Sequence, residues 1–272
     1  MPTRTHTFPT SEPLLLNVRN PTGDVKIIAA EVTETTVEIS PRGGSGQDAT
    51  DETRVELSGD ARRLDIEVPE RRFSLGNSKL SITVTLPAGS TVAAHTATAD
   101  VACRGSLDGL EANTASGDVS VEQLSGDAIV HSASGNLTIG SAAGSVDAKT
   151  ASGNIRVATV GGHCHASSAS GDITVGDCGG EFTARTASGD VRLDQAGHGS
   201  LQVNTMSGDV RVGVRRGARV WLDISTMSGR TRSDLDHDDS LEASSGGAQD
   251  EDVLSVGIRT MSGDVTLCRS AS

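Results

Sequence analysis

Glycine recurs every eighteen residues through the middle of the chain, at Gly117, Gly135, Gly153, Gly171 and Gly189, each time after Ala-Ser and before Asp or Asn. A pattern this regular restricts the fold to one that itself repeats every eighteen residues, a solenoid of stacked coils. Behind each glycine runs a short segment such as Val119-Ser120-Val121, Leu137-Thr138-Ile139 or Ile155-Arg156-Val157, alternating apolar and polar residues at the strand period. A second glycine follows nine residues later, at Gly126, Gly144, Gly162 and Gly180. Each unit therefore holds two short strands and two turns.

Residues at equal phase are expected to stack in columns. On one side these are Val119, Leu137, Ile155, Ile173, Val191 and Val121, Ile139, Val157, Val175, Leu193. The other side is smaller, with Ala128, Val146, Cys164, Phe182 and Val130, Ala148, Ala166, Ala184, and Leu124, Ala142, Val160, Cys178 at the turn. One coil cannot hide these side chains, but stacked coils bury a continuous narrow core between sheets about 10 Å apart. Aromatic rings would distort that spacing, and aromatic residues make up 1% of the chain. The predicted fold class is all-β, a single-chain β-solenoid of the β-roll type with an irregular N-terminal β region as entry and cap.

The register drifts after the fifth coil. Gly208, Gly229 and the final Thr260 to Asp264 motif follow at unequal spacings, and Asp234 to Asp252 carries eight acidic residues with no Lys or Arg. The expected organisation is 1–94 as N-terminal β region and cap, 95–233 as regular coils, 234–252 as an acidic flexible loop, and 253–272 as C-terminal strands and cap. Within 12–94, runs such as Leu14 to Val18, Asp24 to Ile28 and Leu80 to Val84 alternate like strands but lack the eighteen-residue register.

A formal net charge of −13 argues against nucleic-acid or anionic-membrane partners, which demand clustered cations. The segment Met1 to Pro9 has no apolar h-region, so the expected compartment is the cytoplasm. Cys103, Cys164 and Cys178 face inward as small hydrophobes, and a Cys164–Cys178 disulfide stays open as an alternative.

Four groups invite a functional reading. The column Asp118, Asn136, Asn154, Asp172, Asp190 resembles the ligand rows of a calcium-binding β-roll but lacks its glycine-rich nonapeptide; tight turns, with glycine at positive φ and the polar side chain bonding local backbone, are expected instead. His163, Cys164 and His165 with Asp177 and Cys178 supply zinc-ligand types, but neighbouring strand residues point to opposite faces and cannot converge. Arg211, Arg215, Arg216, Arg219, Arg230 and Arg232 form either a solvated face or a docking patch for an acidic partner or another copy of this chain. Thr114, Ser132, Thr150, Ser168, Thr186 and Thr205 are expected to bond one another from rung to rung. No serine has a coil-specific His and Asp partner, and no paired carboxylates accompany aromatic platforms. No catalytic, cofactor or metal residue is assigned.

The run Leu80 to Ser90, followed by repeated Thr-Ala-Ser-Gly-Asp-Val units, is similar to the bacterial putative-adhesin β-strand-repeat family, domain of unknown function 4097, and the resemblance spans most of the chain, from about Gly23-Asp24-Val25 to Asp264-Val265-Thr266-Leu267. The resemblance implies a β-solenoid-like fold and supplies no catalytic residues. The expected function is a non-enzymatic scaffold or protein-interaction module that binds a protein partner or itself through its faces or ends. The alternatives are an exported surface adhesin, a self-assembling filament or a metal-binding β-roll.

Overall fold

The computed structural model describes residues 3–42, 50–59, 62–69, 79–216, 218–235 and 253–270. The predicted loop at 234–252 falls, from residue 236 onward, outside them. The strands are β1 (Arg4–Pro9), β2 (Leu15–Asn20), β3 (Gly23–Ala30), β4 (Glu34–Arg42), β5 (Arg54–Ser58), β6 (Arg63–Glu67), β7 (Lys79–Pro87), β8 (Thr91–Thr96) and β9 (Asp100–Leu107). The regular coils follow as β10 (Gly109–Thr114), β11 (Val119–Leu124), β12 (Ala128–Ser132), β13 (Leu137–Ala142), β14 (Val146–Thr150), β15 (Ile155–Val160), β16 (Cys164–Ser168), β17 (Ile173–Cys178), β18 (Phe182–Ser188) and β19 (Val191–Ala196). The chain closes with β20 (Gly199–Ser207), β21 (Val210–Val214), β22 (Arg219–Ser228), β23 (Thr231–Ser233), β24 (Val253–Ser262) and β25 (Val265–Arg269).

These strands form two sheets, β1-β4-β7-β3-β9-β11-β13-β15-β17-β19-β21-β25-β23 and β22-β24-β20-β18-β16-β14-β12-β10-β8-β2-β6-β5. Each regular coil gives one strand to each sheet. Coil-to-coil pairing is parallel and in register: Val119 pairs with Leu137, Leu137 with Ile155, Ile155 with Ile173 and Ile173 with Val191. All five are buried, so stacking creates the core that no coil has alone. The predicted smaller columns on the second sheet are equally in register and buried.

The N-terminal region goes further into the solenoid than its sequence register suggests. Strands β2 and β3, β6 and β7, and β8 and β9 are full coils in the same sheets, with Leu16 opposite Val92 and Val25 opposite Val101. Among the described residues the only antiparallel pairings are β1 with β4, β4 with β7 and β5 with β6, and β1, β4 and β5 form the cap. The register is hidden because the links between these strands vary in length, while each strand keeps its own alternation.

Coil order departs from chain order at both ends. The first coil, β2 and β3, lies between the second coil and the body, so β6 and β7 are outermost. At the other end the last coil, β24 and β25, inserts between β20/β21 and β22/β23. The C-terminal strands are therefore not the outer cap expected of them: β22 and β23 hold that place. Each terminal coil gains two paired neighbours in this way.

The repeat glycines are needed for a different reason than positive φ. Gly117, Gly135, Gly153, Gly171 and Gly189 are absent from the positive-φ positions; instead, a Cβ at Gly135 would overlap the carbonyl oxygen of Gly117 one coil below, and Gly153 meets Gly135 in the same way. Close inter-coil contact excludes a side chain. Gly208 and Gly263 do turn at positive φ, 149° and 148°.

Candidate functional site

The residues singled out in the sequence divide between structural service and open surface. The Asp/Asn column is a continuous inter-coil ladder rather than a set of local turns. An Asp118 carboxylate oxygen accepts the N–H of Asn136 at 2.8 Å, Asn136 that of Asn154 at 3.1 Å, Asn154 that of Asp172 at 2.9 Å, and Asp172 that of Asp190 at 3.0 Å. It continues through Asp190 to Asp209, then to Asp264, and from Asp264 back to Arg230, each at 2.8 Å. That path traces the altered coil order.

The hydroxyl column bonds glycine backbone and not its own members. Thr114, Ser132 and Thr150 accept the N–H of Gly117, Gly135 and Gly153 at 3.0, 2.7 and 3.2 Å, while Thr150 and Ser168 donate to the carbonyls of Gly135 and Gly153. Thr150 and Ser168 thus clamp a corner to the coil below, whereas Thr114 and Ser132 close the corner of their own coil.

Cys103, Cys164, Cys178 and Cys268 are free thiols, so the open Cys164–Cys178 disulfide is not formed. Burial pushes the Cys103 thiol up to about 12, and it also raises those of Cys164 and Cys178. His163 Nδ1 accepts the Glu181 N–H at 3.2 Å, while Cys164 points into the core. Among the described residues, no three His, Cys, Asp or Glu side chains gather around a common metal position. The arginine cluster is divided: Arg211 and Arg232 flank Thr266 on one sheet, Arg219 lies on the edge of the other, and Arg215 faces Asp177 at 3.5 Å.

A surface that the sequence reading missed lies at one corner of the last three coils. There the Thr-Ala-Ser-Gly motif becomes Thr-Met-Ser-Gly, and the pairing of Thr205 with Thr260 and of Thr226 with Thr260 aligns Met206, Met261 and Met227 side by side. All three are exposed, Met227 by 80%. They border an open groove of about 420 Å³ that Arg185 and Arg259 also line. Neither arginine has an ion-pair partner among the described residues. Beneath the methionines, the Thr205, Thr226 and Thr260 hydroxyls are buried without a hydrogen-bond partner among the described residues, unlike Thr114 or Thr150 in the regular coils. Here the strands run straight into the corner, and the glycine N–H bonds a neighbouring carbonyl: Gly208 to Ser262 and Gly263 to Ser228.

Arg185 and Arg259 belong to a longer column on the outer face of that sheet. Arg19, His95, Asn113, His131, Lys149, Ser167, Arg185, Asn204 and Arg259 are successive register partners. From His95 to Asn204 the members are spaced 18 or 19 residues apart and show as a row when the outward phases are aligned, whereas Arg19 and Arg259 join it only through the altered coil order. The signal that reveals the corner is simpler: Ala precedes Ser-Gly in the five regular coils and Met in the last three.

β22 is the outer edge of this sheet. Its inward side chains Val220, Leu222 and Ile224 continue the columns of buried Leu254, Val256 and Ile258 but are themselves partly open. Trp221 points outward and is 60% exposed.

No curated protein matches the chain. Among solved structures it is similar to a putative adhesin from Bacteroides fragilis, with 14% identity over 97% of both chains and a TM-score of 0.50. A putative adhesin from Parabacteroides distasonis aligns at 12% identity over 98% of this chain and 97% of that one, TM-score 0.43. A protein of the same species described as a putative lipid binding protein gives 14% identity, 97% and 96% coverage and a TM-score of 0.47. At such identity the likeness concerns the fold. The Toastrack DUF4097 family model matches residues 15–268, nearly the whole solenoid, and the chain belongs to that family.

Proposed function

We propose that this protein is a non-enzymatic interaction module whose contact surface is the methionine corner and the adjoining outer face of the twelve-stranded sheet. The observation that carries the reading is the combination at one place of three exposed methionines with two arginines and several buried threonine hydroxyls that have no partner among the described residues. Methionine is unbranched and polarisable, which suits an adaptable contact surface. Unpaired arginines beside it favour a protein partner that offers acidic groups next to apolar ones. A non-catalytic role is supported by what the repeated polar residues do: the Asp/Asn and Ser/Thr columns are engaged in holding coils together.

The test is affinity capture from native lysate with the wild type and with a Met206→Ser, Met227→Ser, Met261→Ser variant. Captured partners should be lost from the variant while its circular dichroism stays unchanged. Equal capture by both proteins would contradict the reading. The proposed compartment is the cytoplasm; an exported surface adhesin is the second reading, suggested by the description of the Bacteroides fragilis protein. Cell fractionation separates the two.

A further inference from the structure

We propose that β22 is a homodimerisation edge, pairing antiparallel with β22 of a second copy in a register centred on Trp221. This goes beyond the interaction-module reading and rests on it only in treating the C-terminal end as a contact surface. Three observations lead to it. Among the described residues β22 has a paired neighbour on one side only, so a row of backbone N–H and C=O groups faces outward over ten residues. The apolar columns of the core reach this edge unfinished at Val220, Leu222 and Ile224. The one Trp of the chain is exposed on the same strand.

The sequence of the edge is self-complementary in one register. Two identical strands related by a two-fold axis must pair antiparallel, and residues directly opposite must share a face. Centring the axis on Trp221 sets Trp221 against its own copy, Val220 against Leu222 and Arg219 against Asp223, twice each. Apolar residues then meet on the inner face, and opposite charges meet on the outer face. Centring on Leu222 leaves Arg219 opposite Ser225, and centring on Asp223 places two aspartates together. The Trp221 register is the one that pairs the charges. The methionine corner lies beyond the paired segment and stays open, so a dimer would present two such corners on one face.

The experiment is sedimentation velocity of the full chain across a concentration series, with Trp221 fluorescence recorded in parallel. The expected result is a monomer–dimer equilibrium, with emission moving to shorter wavelength as the dimer forms. Arg219→Asp and Asp223→Arg each place like charges opposite one another twice and should weaken dimerisation about tenfold or more. The double variant Arg219→Asp with Asp223→Arg restores opposite pairing and should restore the dimer. A wild type that stays monomeric, single variants that dimerise normally, or a series of species larger than the dimer would overturn the proposal. A monomer that still loses its captured partners on mutation of the methionines would overturn the dimer alone and leave the interaction module standing.

Discussion

The two ends of the solenoid tuck the first and the last coil of the chain inside in the same way and then close differently. At the N-terminal end, antiparallel β5 covers β6, and β4 and β1 continue beyond β7, so Leu64 and Ile66 in the outermost coil are buried. Arg4 fastens this cap by donating to the carbonyls of Thr50, Asp51 and Thr53 at 3.1 to 3.2 Å. At the C-terminal end, Leu222 and Ile224 lie in the same columns as Leu64 and Ile66, yet Leu222 is 39% exposed. On the other sheet, the columns that hold Ile82 and Val84 at the N-terminal end finish in Thr231 and Ser233. A parallel stack can continue without limit, and what ends it is a change of strand direction or of side-chain chemistry. Here the first end uses direction, and the second uses polar residues on one sheet while leaving the other sheet open.

The largest test of this contrast compares equivalent leucines. In dilute, monomeric protein Leu64→Ala should cost about 2–5 kcal/mol, while Leu222→Ala should cost under about 1 kcal/mol, both read from denaturant or thermal unfolding. Equal losses would mean that the C-terminal column is as closed as the N-terminal one. Thiol accessibility sharpens the picture next: Cys103 and Cys164, buried and with raised pKa values, should react with a thiol reagent about a hundredfold or more slowly than half-buried Cys268. A smaller effect is expected from Asp264→Ala, which removes the acceptor for the Arg230 N–H. It should destabilise by about 1 kcal/mol and raise hydrogen exchange in β23 without changing exchange in β9.

The smallest effect concerns His6 in the N-terminal cap, stacked on Phe8 with ring centroids 6.2 Å apart. Burial and then the nearby Arg4 charge hold its pKa below the ordinary 6.5. The unfolded chain therefore takes up the proton first, so the contribution is present above 6.5 and lost as pH falls through that value toward the lower folded pKa. His6→Gln should flatten this part of the stability profile, and an unchanged slope would assign it to other groups.

Much of the body was legible because alternation and an eighteen-residue period specify both face and neighbour for Val119 through Leu193. The stacking order at the ends was not legible, and the reason is physical. Alternation says which face a side chain takes, but Leu254, Val256 and Ile258 fit against β20 no less well than Val220, Leu222 and Ile224 would. The choice is made by non-local closure, and its trace in the sequence is slight: the coil left outside carries Trp221 and the polar Thr231 and Ser233. For the same reason the role of glycine was misread, since the carbonyl that excludes a Cβ at Gly135 belongs to the coil below. The methionine corner could have been found by comparing the residue before each Ser-Gly.

Hydrogen exchange of the backbone amides, resolved by strand, tests the stacking order most directly. In protein dilute enough to be monomeric, β22 should exchange well before β24, although β22 comes earlier in the chain, because β24 is paired on both sides and β22 on one. Amides of β24 exchanging as fast as or faster than those of β22 would place the C-terminal coil outermost and contradict it.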